Sequence, residues 1–365
     1  MEKKVFLYAY DKINFGDDLF VRNIVRRYPN VQFYIWSEKI NRITFKDLPN
    51  LTVIDSDSFF INIIKRVRKS LVARFKRFIQ RRCTAVVYIG GSIFIEYDNW
   101  EHILSWWNYE AENFPFYVLG ANFGPYKNEA FKEAFYNVFT KVKDICFRDT
   151  YSYDLFKDCL TVRYASDILF MTDLPKTQLR KRQVFFSIIN CKKKEEGKNN
   201  LQPFANRYIQ NMIKLVEEYT KNDYSVLLVS FCNYEGDEEA ILEILDHMDK
   251  QKLLGKVNTL FYNGTNTDDI LEELAHSEYV IASRFHALIL GIAAGKAVFP
   301  IIYSDKTISV LYDIGFQGNW ADIRANNEIE FDFSISNLLN NIFVPNTNLK
   351  KDSDKHFIYL DKVLK

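Results

Sequence analysis

Short apolar runs alternate with helical stretches along nearly the whole chain, and this pattern restricts the fold more than any other feature. Several runs are continuous in Val, Ile, Leu and Phe, which is typical of strands buried on both faces. Strand–helix alternation favours βαβ units and parallel sheets. We therefore expect an α/β protein. The predicted strands are 5–10, 31–36, 51–54, 85–89, 116–119, 144–147, 184–189, 225–230, 259–262, 279–282 and 297–302, and the predicted helices include 100–112, 128–142, 205–221, 236–250 and 285–294.

A polar stretch at 171–183 divides the strands into two groups. The chain has 365 residues, 48% of them hydrophobic, which is enough for two cores. We predict two Rossmann-like, doubly wound domains facing across a cleft, at 1–175 and 183–325. The polar tail 326–365 is predicted to pack back on the body, with a candidate helix at 333–343.

Several classes of protein do not fit the composition. No apolar run reaches the ~18 residues of a membrane span, and no signal-peptide core follows Met1, so a cytoplasmic protein is expected. The five cysteines are odd in number and lack CxxC spacing, which argues against disulfides and zinc. P-loop, GxSxG and strand-end GxGxxG motifs are absent from the sequence, and no metal-ligand cluster is found.

The segment 62–82 is strongly basic. Residues 65–82 hold nine Lys or Arg and no acid, whereas the remaining 39 basic and 47 acidic residues give the rest of the chain a charge of −8. Apolar residues recur every three or four positions, which predicts an amphipathic basic helix. The helix could lie on an anionic membrane surface or pack as a solvated helix on the first domain, and both readings stay open. One local basic segment does not indicate general nucleic-acid binding.

Polar and glycine residues follow the strands of the first half, where open parallel sheets bind ligands. Asn14, Gly16 and Asp17 come after the first run, where they could serve as cleft residues or only as turn and helix caps. Gly90-Gly91 follows the fourth run, where it permits either close approach of a ligand or a tight turn.

Each half has an apolar strand that ends in an arginine at a predicted helix N-terminus: Arg148 in the first and Arg284 in the second. A helix N-terminus with an added guanidinium suits phosphate or carboxylate. Next to Arg284 lie Ser283 and His286, a histidine that could transfer a proton near neutral pH. Lys306 follows the last predicted strand and could supply another cation or be a surface lysine.

Taken in order, these residues resemble the polysaccharide pyruvyl transferase family over about residues 10–310. The resemblance is carried by Asn14-x-Gly16-Asp17, Gly90-Gly91, Gly120-x-x-x-Gly124-Pro125, Arg148-Asp149-x-x-Ser152, Ser166-Asp167, Ser283-Arg284-x-His286-Ala287, Gly295 and Tyr303-x-x-Lys306. It implies a fold like that of the two-Rossmann-domain (GT-B) glycosyltransferases. It also implies phosphoenolpyruvate as donor and a pyruvate ketal on a surface glycan, such as a capsule or exopolysaccharide, as product.

The resemblance and the strand-end positions together predict the site. His286 is expected as the proton donor, and Arg284, Arg148 and Lys306 are expected to hold the donor's anions. Asp17 or Asp167 would take the acceptor's proton. The remaining predicted substrate-binding residues are Ser283, Asn14, Gly16, Gly90, Gly91 and Asn122.

No cofactor or metal is expected beyond the donor itself. The expected acceptor is a sugar on an undecaprenyl-diphosphate-linked oligosaccharide at the inner face of the cell membrane. The alternative function is that of a GT-B glycosyltransferase with a nucleotide-sugar donor, for which Glu328 and Glu330 are the candidate ribose-binding carboxylates.

Overall fold

A computed structural model describes residues 2–176, 180–193, 195–196, 199–248, 255–325, 341–343 and 348–365. The chain forms two compact units. The first comprises Met1–Lys12, Asp17–Met171 and Lys351–Lys365, and the second comprises Ile13–Gly16 and Thr172–Lys350. The division after Met171 lies at the start of the predicted linker 171–183.

The first unit contains an entirely parallel sheet, eight strands among the described residues, in the order β3-β2-β1-β4-β6-β7-β8, with β5 beside β6. This is a Rossmann-like order in which the direction of winding reverses between β1 and β4. The strands are β1 Lys4–Tyr8, β2 Gln32–Ser37, β3 Leu51–Asp55, β4 Ala85–Ile89, β5 Ser92–Phe94, β6 Phe116–Phe123, β7 Asp144–Phe147 and β8 Val162–Tyr164.

Helices connect the strands of this sheet and cover an aromatic core. Trp107 lies in that core with Phe94, Phe116 and Phe135, so the helix Trp100–Asn113 packs this side chain inward. The helices of the unit are α1 Phe15–Arg27, α2 Asn41–Thr44, α3 Phe59–Gln80, α4 Trp100–Asn113, α5 Glu129–Phe139 and α6 Thr150–Asp154, with a 3-10 turn at Ile168–Met171.

The second unit contains a parallel sheet, six strands among the described residues, in the order β13-β12-β9-β14-β15-β16. The winding reverses between β9 and β14. The strands are β9 Gln183–Ser187, β12 Ser225–Ser230, β13 Val257–Phe261, β14 Tyr279–Ala282, β15 Ala297–Ile302 and β16 Ala321–Asp322; β10 Glu195–Glu196 and β11 Asn199–Asn200 form a separate antiparallel pair.

The helices of the second unit are amphipathic, except that the helix Phe285–Ala293 is apolar apart from His286. Their bounds are α7 Ala205–Lys221, α8 Asp237–Asp246, α9 Thr267–His276, α10 Phe285–Ala293 and α11 Asp305–Asp313, with a 3-10 turn at Gln202–Phe204. After these come α12 Leu349–Ser353, a 3-10 turn at Asp354–Phe357 and α13 Ile358–Leu364. The last fifteen residues belong to the first unit.

The two parallel sheets confirm the predicted α/β fold with two Rossmann-like domains. Each predicted strand is present, with ends shifted by at most four residues. The antiparallel pair of β10 and β11 lies within the polar stretch 191–200. The candidate helix 333–343 and the carboxylates Glu328 and Glu330 fall wholly or mostly outside the described residues. Within the described residues, no helix is both long and apolar enough to cross a bilayer.

Candidate active site

Ser283 and Arg284 follow β14 directly, beside the point where the second sheet reverses its winding. The backbone N–H of Ser283 donates to the Ser187 carbonyl at 3.2 Å, and that of Arg284 donates to Ser187 Oγ at 3.1 Å. The Tyr208 hydroxyl donates to Ser283 Oγ at 2.8 Å. These bonds tie the segment to β9 and α7, so the backbone ahead of α10 is held in place.

The guanidinium of Arg284 is buried and held by two carboxylates. Its Nε donates to Asp237 Oδ2 at 2.9 Å, its Nη2 donates to Asp237 Oδ1, and its Nη1 donates to Glu235 Oε2 at 2.6 Å. Burial opposes the charged form, but Asp237 and Glu235 outweigh burial and raise the pKa of Arg284 well above its usual value. We call Ser283, Arg284, Glu235 and Asp237 the Arg284 cluster.

Asp237 also organises the backbone after β12. Its Oδ2 accepts the N–H groups of Phe231 at 3.0 Å and Cys232 at 2.9 Å, and the side chain is completely buried. Sequence reasoning missed Asp237 and Glu235. The signal in the sequence was only their position just after the predicted strand 225–230, at a strand end where ligand-binding and charged residues are expected.

His286 is the second residue of α10 and is half-buried. Its ring lies edge-on to that of Phe285 at 5.6 Å. Gly16, which the contacts group with the second unit, lies so close that a Cβ atom at position 16 would overlap the imidazole. Asn14 Oδ1 accepts the Gly16 N–H at 3.1 Å and so fixes this turn. The structure therefore brings Asn14, Gly16 and His286 together.

Lys306 is the second residue of α11, after the strand β15 that pairs with β14. It is half-buried, and its Nζ lies 5.9 Å from the centre of the Tyr303 ring. This position is at the same edge of the second sheet as Ser283 and Arg284.

In the first unit, Arg148 follows β7 and is 3% exposed. Its Nη1 donates to Asp167 Oδ2 at 3.0 Å, and its Nη2 donates to Asn122 Oδ1 at 2.8 Å. A Cβ atom at Gly91 would come within 2.6 Å of both Nη atoms, so the glycine leaves room for the guanidinium. We call Arg148, Asn122, Asp167 and Gly91 the Arg148 cluster. Gly90, with φ +155°, lies between the end of β4 and Gly91.

The two candidate bases differ in exposure. Asp17 lies in the first turn of α1 and is half-buried. Asp167 is fully buried, and burial raises the pKa of its carboxyl although Arg148 and the Leu169 N–H lower it.

Asp149 and Ser152, which belong to the motif after Arg148, form a helix cap. Asp149 Oδ1 accepts the Ser152 N–H at 2.7 Å, and Ser152 Oγ accepts the Phe123 N–H at 2.7 Å. The motif therefore fixes the backbone that carries Arg148. Among the described residues, no group of three or more His, Cys, Asp or Glu side chains could hold a metal ion.

Solved structures with the same fold cover nearly the whole chain. HepE from Anabaena, in complex with UDP and glucose, matches with a TM-score of 0.56 at 12% identity over 99% of this chain and 97% of that one. UDP-GlcNAc 2-epimerase from Methanocaldococcus jannaschii matches with a TM-score of 0.56 at 11% identity over 99% of this chain and 100% of that one. At these identities the likeness concerns the fold, which is that of GT-B-type enzymes.

Sequence comparison is more specific. The amylovoran biosynthesis protein AmsJ from Erwinia amylovora is 23% identical over 264 residues, which are 66% of this chain and 62% of the relative, less than two thirds of its length. The polysaccharide pyruvyl transferase family model matches residues 14–305, a span that includes both arginine clusters and His286. The chain belongs to the polysaccharide pyruvyl transferase family.

Proposed function

We propose that the protein transfers the pyruvyl group of phosphoenolpyruvate onto two hydroxyls of a sugar, forming a pyruvate ketal and releasing phosphate. The observation that carries this proposal is the family match over residues 14–305. The match to a protein of amylovoran biosynthesis supports a role in polysaccharide biosynthesis. A surface polysaccharide, capsule or exopolysaccharide, is the proposed destination of the product.

The proposed reaction needs an acid, a base and cations. Protonation of the donor's methylene carbon makes the adjacent carbon an oxocarbenium-like electrophile. One sugar hydroxyl adds to that carbon, the bond to the phosphate oxygen breaks, and the second hydroxyl closes the ring. Of the two hydroxyl protons, one balances the proton given to the methyl group and the other leaves with phosphate. No metal or further cofactor enters this scheme.

The second unit supplies the donor-side residues in this proposal. His286 protonates the methylene carbon, a contribution of about 10²–10⁴-fold in rate. Gly16 and Asn14 support its position, since Gly16 packs against the ring. Lys306 binds a donor anion directly. Because Asp237 and Glu235 compensate the charge of Arg284, its role in this proposal is to orient the segment Ser283–His286.

The first unit supplies the acceptor-side residues. We propose Asp17 as the base, because it keeps exposed surface whereas Asp167 is completely buried beside Arg148. Asn122, Gly90 and Gly91 contact the sugar or the donor's anion in this scheme. Arg148 adds positive charge next to them, with Asp167 as its positioning partner.

The acceptor is proposed to be a sugar of an undecaprenyl-diphosphate-linked oligosaccharide. The enzyme would then work in the cytoplasm, at the inner face of the cell membrane. The basic helix α3 supports this placement.

A thermal-shift screen with phosphoenolpyruvate, UDP and GDP tests the donor. A ligand at 100 times its dissociation constant stabilises the folded state by about 2.7 kcal/mol. Of the three compounds, we expect only phosphoenolpyruvate to raise the melting temperature. Stabilisation by UDP or GDP alone would instead support the second candidate, a glycosyltransferase with a nucleotide-sugar donor. HepE, a structure with the same fold, was solved in complex with UDP and glucose.

A phosphate-release assay with the variant His286→Gln tests the proton donor. We expect a loss of at least about 100-fold in kcat, with the melting temperature unchanged. The control His247→Gln changes an exposed histidine and should keep full activity. Near-normal turnover by His286→Gln would rule out the assigned role.

A further inference from the structure

The C-terminal half of α3 exposes three large apolar side chains on one stripe. Leu71, Phe75 and Phe78 are 41%, 46% and 53% exposed. Their spacing of four and then three residues places them on the same face of the helix. Exposed apolar residues aligned in this way form a patch rather than isolated surface contacts.

Arginines border this stripe. Arg74, Arg81 and Arg82 are exposed, and the guanidinium of Arg82 lies 3.4 Å from the centre of the Phe78 ring. The same side chains line a groove of about 770 Å³. Residues 65–82 contain no acid, so the patch has only positive charge.

Contacts on the opposite side of α3 fix which face points outward. Gln80 Nε2 donates to Glu110 Oε2 at 2.7 Å and to the Tyr8 hydroxyl at 3.0 Å. Lys76 Nζ lies 4.2 Å from the centre of the Tyr8 ring, and burial lowers the pKa of Lys76 to about 8. Lys76 therefore belongs to the inner face, and Arg74, Arg81 and Arg82 are outer-face charges.

We propose that this outer face binds the surface of a lipid bilayer that carries anionic headgroups. Phenylalanine and leucine along the centre of a helix face, with arginines at its borders, suit a helix that lies in the interface plane. The apolar centre of the stripe argues against a nucleic-acid backbone, which is contacted by cations. A helix of 22 residues is about 33 Å long, enough to lie along such a surface.

The inference deepens the proposed function, because a lipid-linked acceptor is presented at such a surface. Its test needs neither donor nor acceptor, so failure of the membrane inference and failure of pyruvyl transfer can be told apart.

Co-sedimentation with vesicles of phosphatidylcholine containing 30% phosphatidylglycerol, at 50 mM salt, is the test. We expect the full-length protein to bind these vesicles, to bind pure phosphatidylcholine much more weakly, and to dissociate as salt rises. Inorganic phosphate at millimolar concentration should not displace it, because the apolar side chains require a bilayer.

Two triple variants separate charge from apolar contact. Arg74→Glu, Arg81→Glu and Arg82→Glu together should weaken binding by at least about 100-fold, at roughly five-fold per cation. Leu71→Ser, Phe75→Ser and Phe78→Ser together should weaken it by a similar or larger factor. The matched control Lys157→Glu, Lys214→Glu and Lys221→Glu makes the same charge change at exposed positions elsewhere and should bind as wild type.

Each outcome decides the inference, provided that the variants keep the wild-type melting temperature. Binding that the outer-face variants abolish and the control preserves supports it. Absence of wild-type binding at low salt, equal binding to neutral vesicles, or equal loss in the control would overturn it. Displacement by inorganic phosphate would assign the patch to a soluble phosphate instead.

Discussion

The Arg148 cluster and the Arg284 cluster start from the same local pattern and reach different electrostatics. In both, a buried parallel strand ends in an arginine that precedes a helix. Arg148 binds the carboxylate of Asp167 and the amide oxygen of Asn122. Arg284 binds two carboxylates, Asp237 and Glu235.

The difference lies in what surrounds each guanidinium. The helix after Arg148 has five residues and the helix after Arg284 has nine, so the second has the larger dipole. The charge of a buried arginine must be balanced by carboxylates, and residues distant in the sequence supply them. The comparison teaches that a strand-end arginine identifies a site but does not say whether its charge is available to a ligand.

The largest expected difference between the two clusters is the loss of stability when the carboxylate partner of each arginine is removed. Asp237→Ala leaves Arg284 without its bidentate partner and leaves the N–H groups of Phe231 and Cys232 without this acceptor. Breaking a buried pair costs about 3–5 kcal/mol. We expect Asp237→Ala to fall at the upper end of this range and Asp167→Ala at the lower end, because Asp167 accepts from Arg148 and one backbone N–H.

Calorimetric melting temperatures provide the measurement for this pair, with Glu112→Ala as control. Glu112 forms an exposed ion pair with Lys141, and its loss should change stability by less than about 1 kcal/mol. A larger loss for Asp167→Ala than for Asp237→Ala would contradict the role given to the backbone contacts.

Substitutions at Gly16 and Gly91 should differ in their effects on kcat and on stability. Gly16→Ala places a methyl group against the ring of His286 and should lower kcat for phosphate release by about 100-fold, or 2.7 kcal/mol, while the melting temperature is kept. Gly91→Ala pushes against the guanidinium of Arg148 and should lower stability as well, since a buried ion pair must shift.

Gly255→Ala is the control for a change at a glycine. Its position has open space but φ +77°, so we expect a stability loss of about 1 kcal/mol and unchanged kcat. If Gly16→Ala retains normal kcat, its packing does not position the proposed acid.

The smallest expected effect is a pH dependence of the free energy of unfolding, caused by a histidine near the Arg148 cluster. His356 is fully buried, its Nε2–H donates to the Ser166 carbonyl next to Asp167, and burial lowers its pKa to about 3. Below pH ~6.5 the unfolded chain takes up a proton that the folded chain excludes until about pH 3. This histidine therefore lowers stability as the pH falls, by about 1.4 kcal/mol per unit.

Urea unfolding at pH 6.5 and 5.5 measures this contribution. Wild type should lose about 1 kcal/mol more than His356→Gln over that interval. His247→Gln, at an exposed position, should keep the wild-type pH dependence. Equal pH slopes for wild type and His356→Gln would mean that His356 takes up its proton to the same extent in the folded and the unfolded chain, which contradicts a lowered pKa.

Much of the fold could be predicted from the chain alone. The strands were predictable because strands buried on both faces read as continuous Val, Ile, Leu and Phe, and their alternation with helices specifies parallel sheets. The positions of Arg148, Ser283, Arg284 and His286 followed, since they adjoin those strands. The basic segment was predicted as a helix at 62–82, and the structure places α3 at Phe59–Gln80.

Tertiary structure decided how those residues are used. Arg284 meets Asp237 and Glu235 from 47 and 49 positions away, and Ser283 meets Tyr208 from 75 positions away. On α3, contacts with Tyr8 and Glu110 turn Lys76 inward and leave Arg74 outside. Local sequence determines periodicity and strand ends, because those depend on neighbouring residues. Charge compensation depends on which strands become adjacent in a sheet, and that adjacency exists only after the chain has folded.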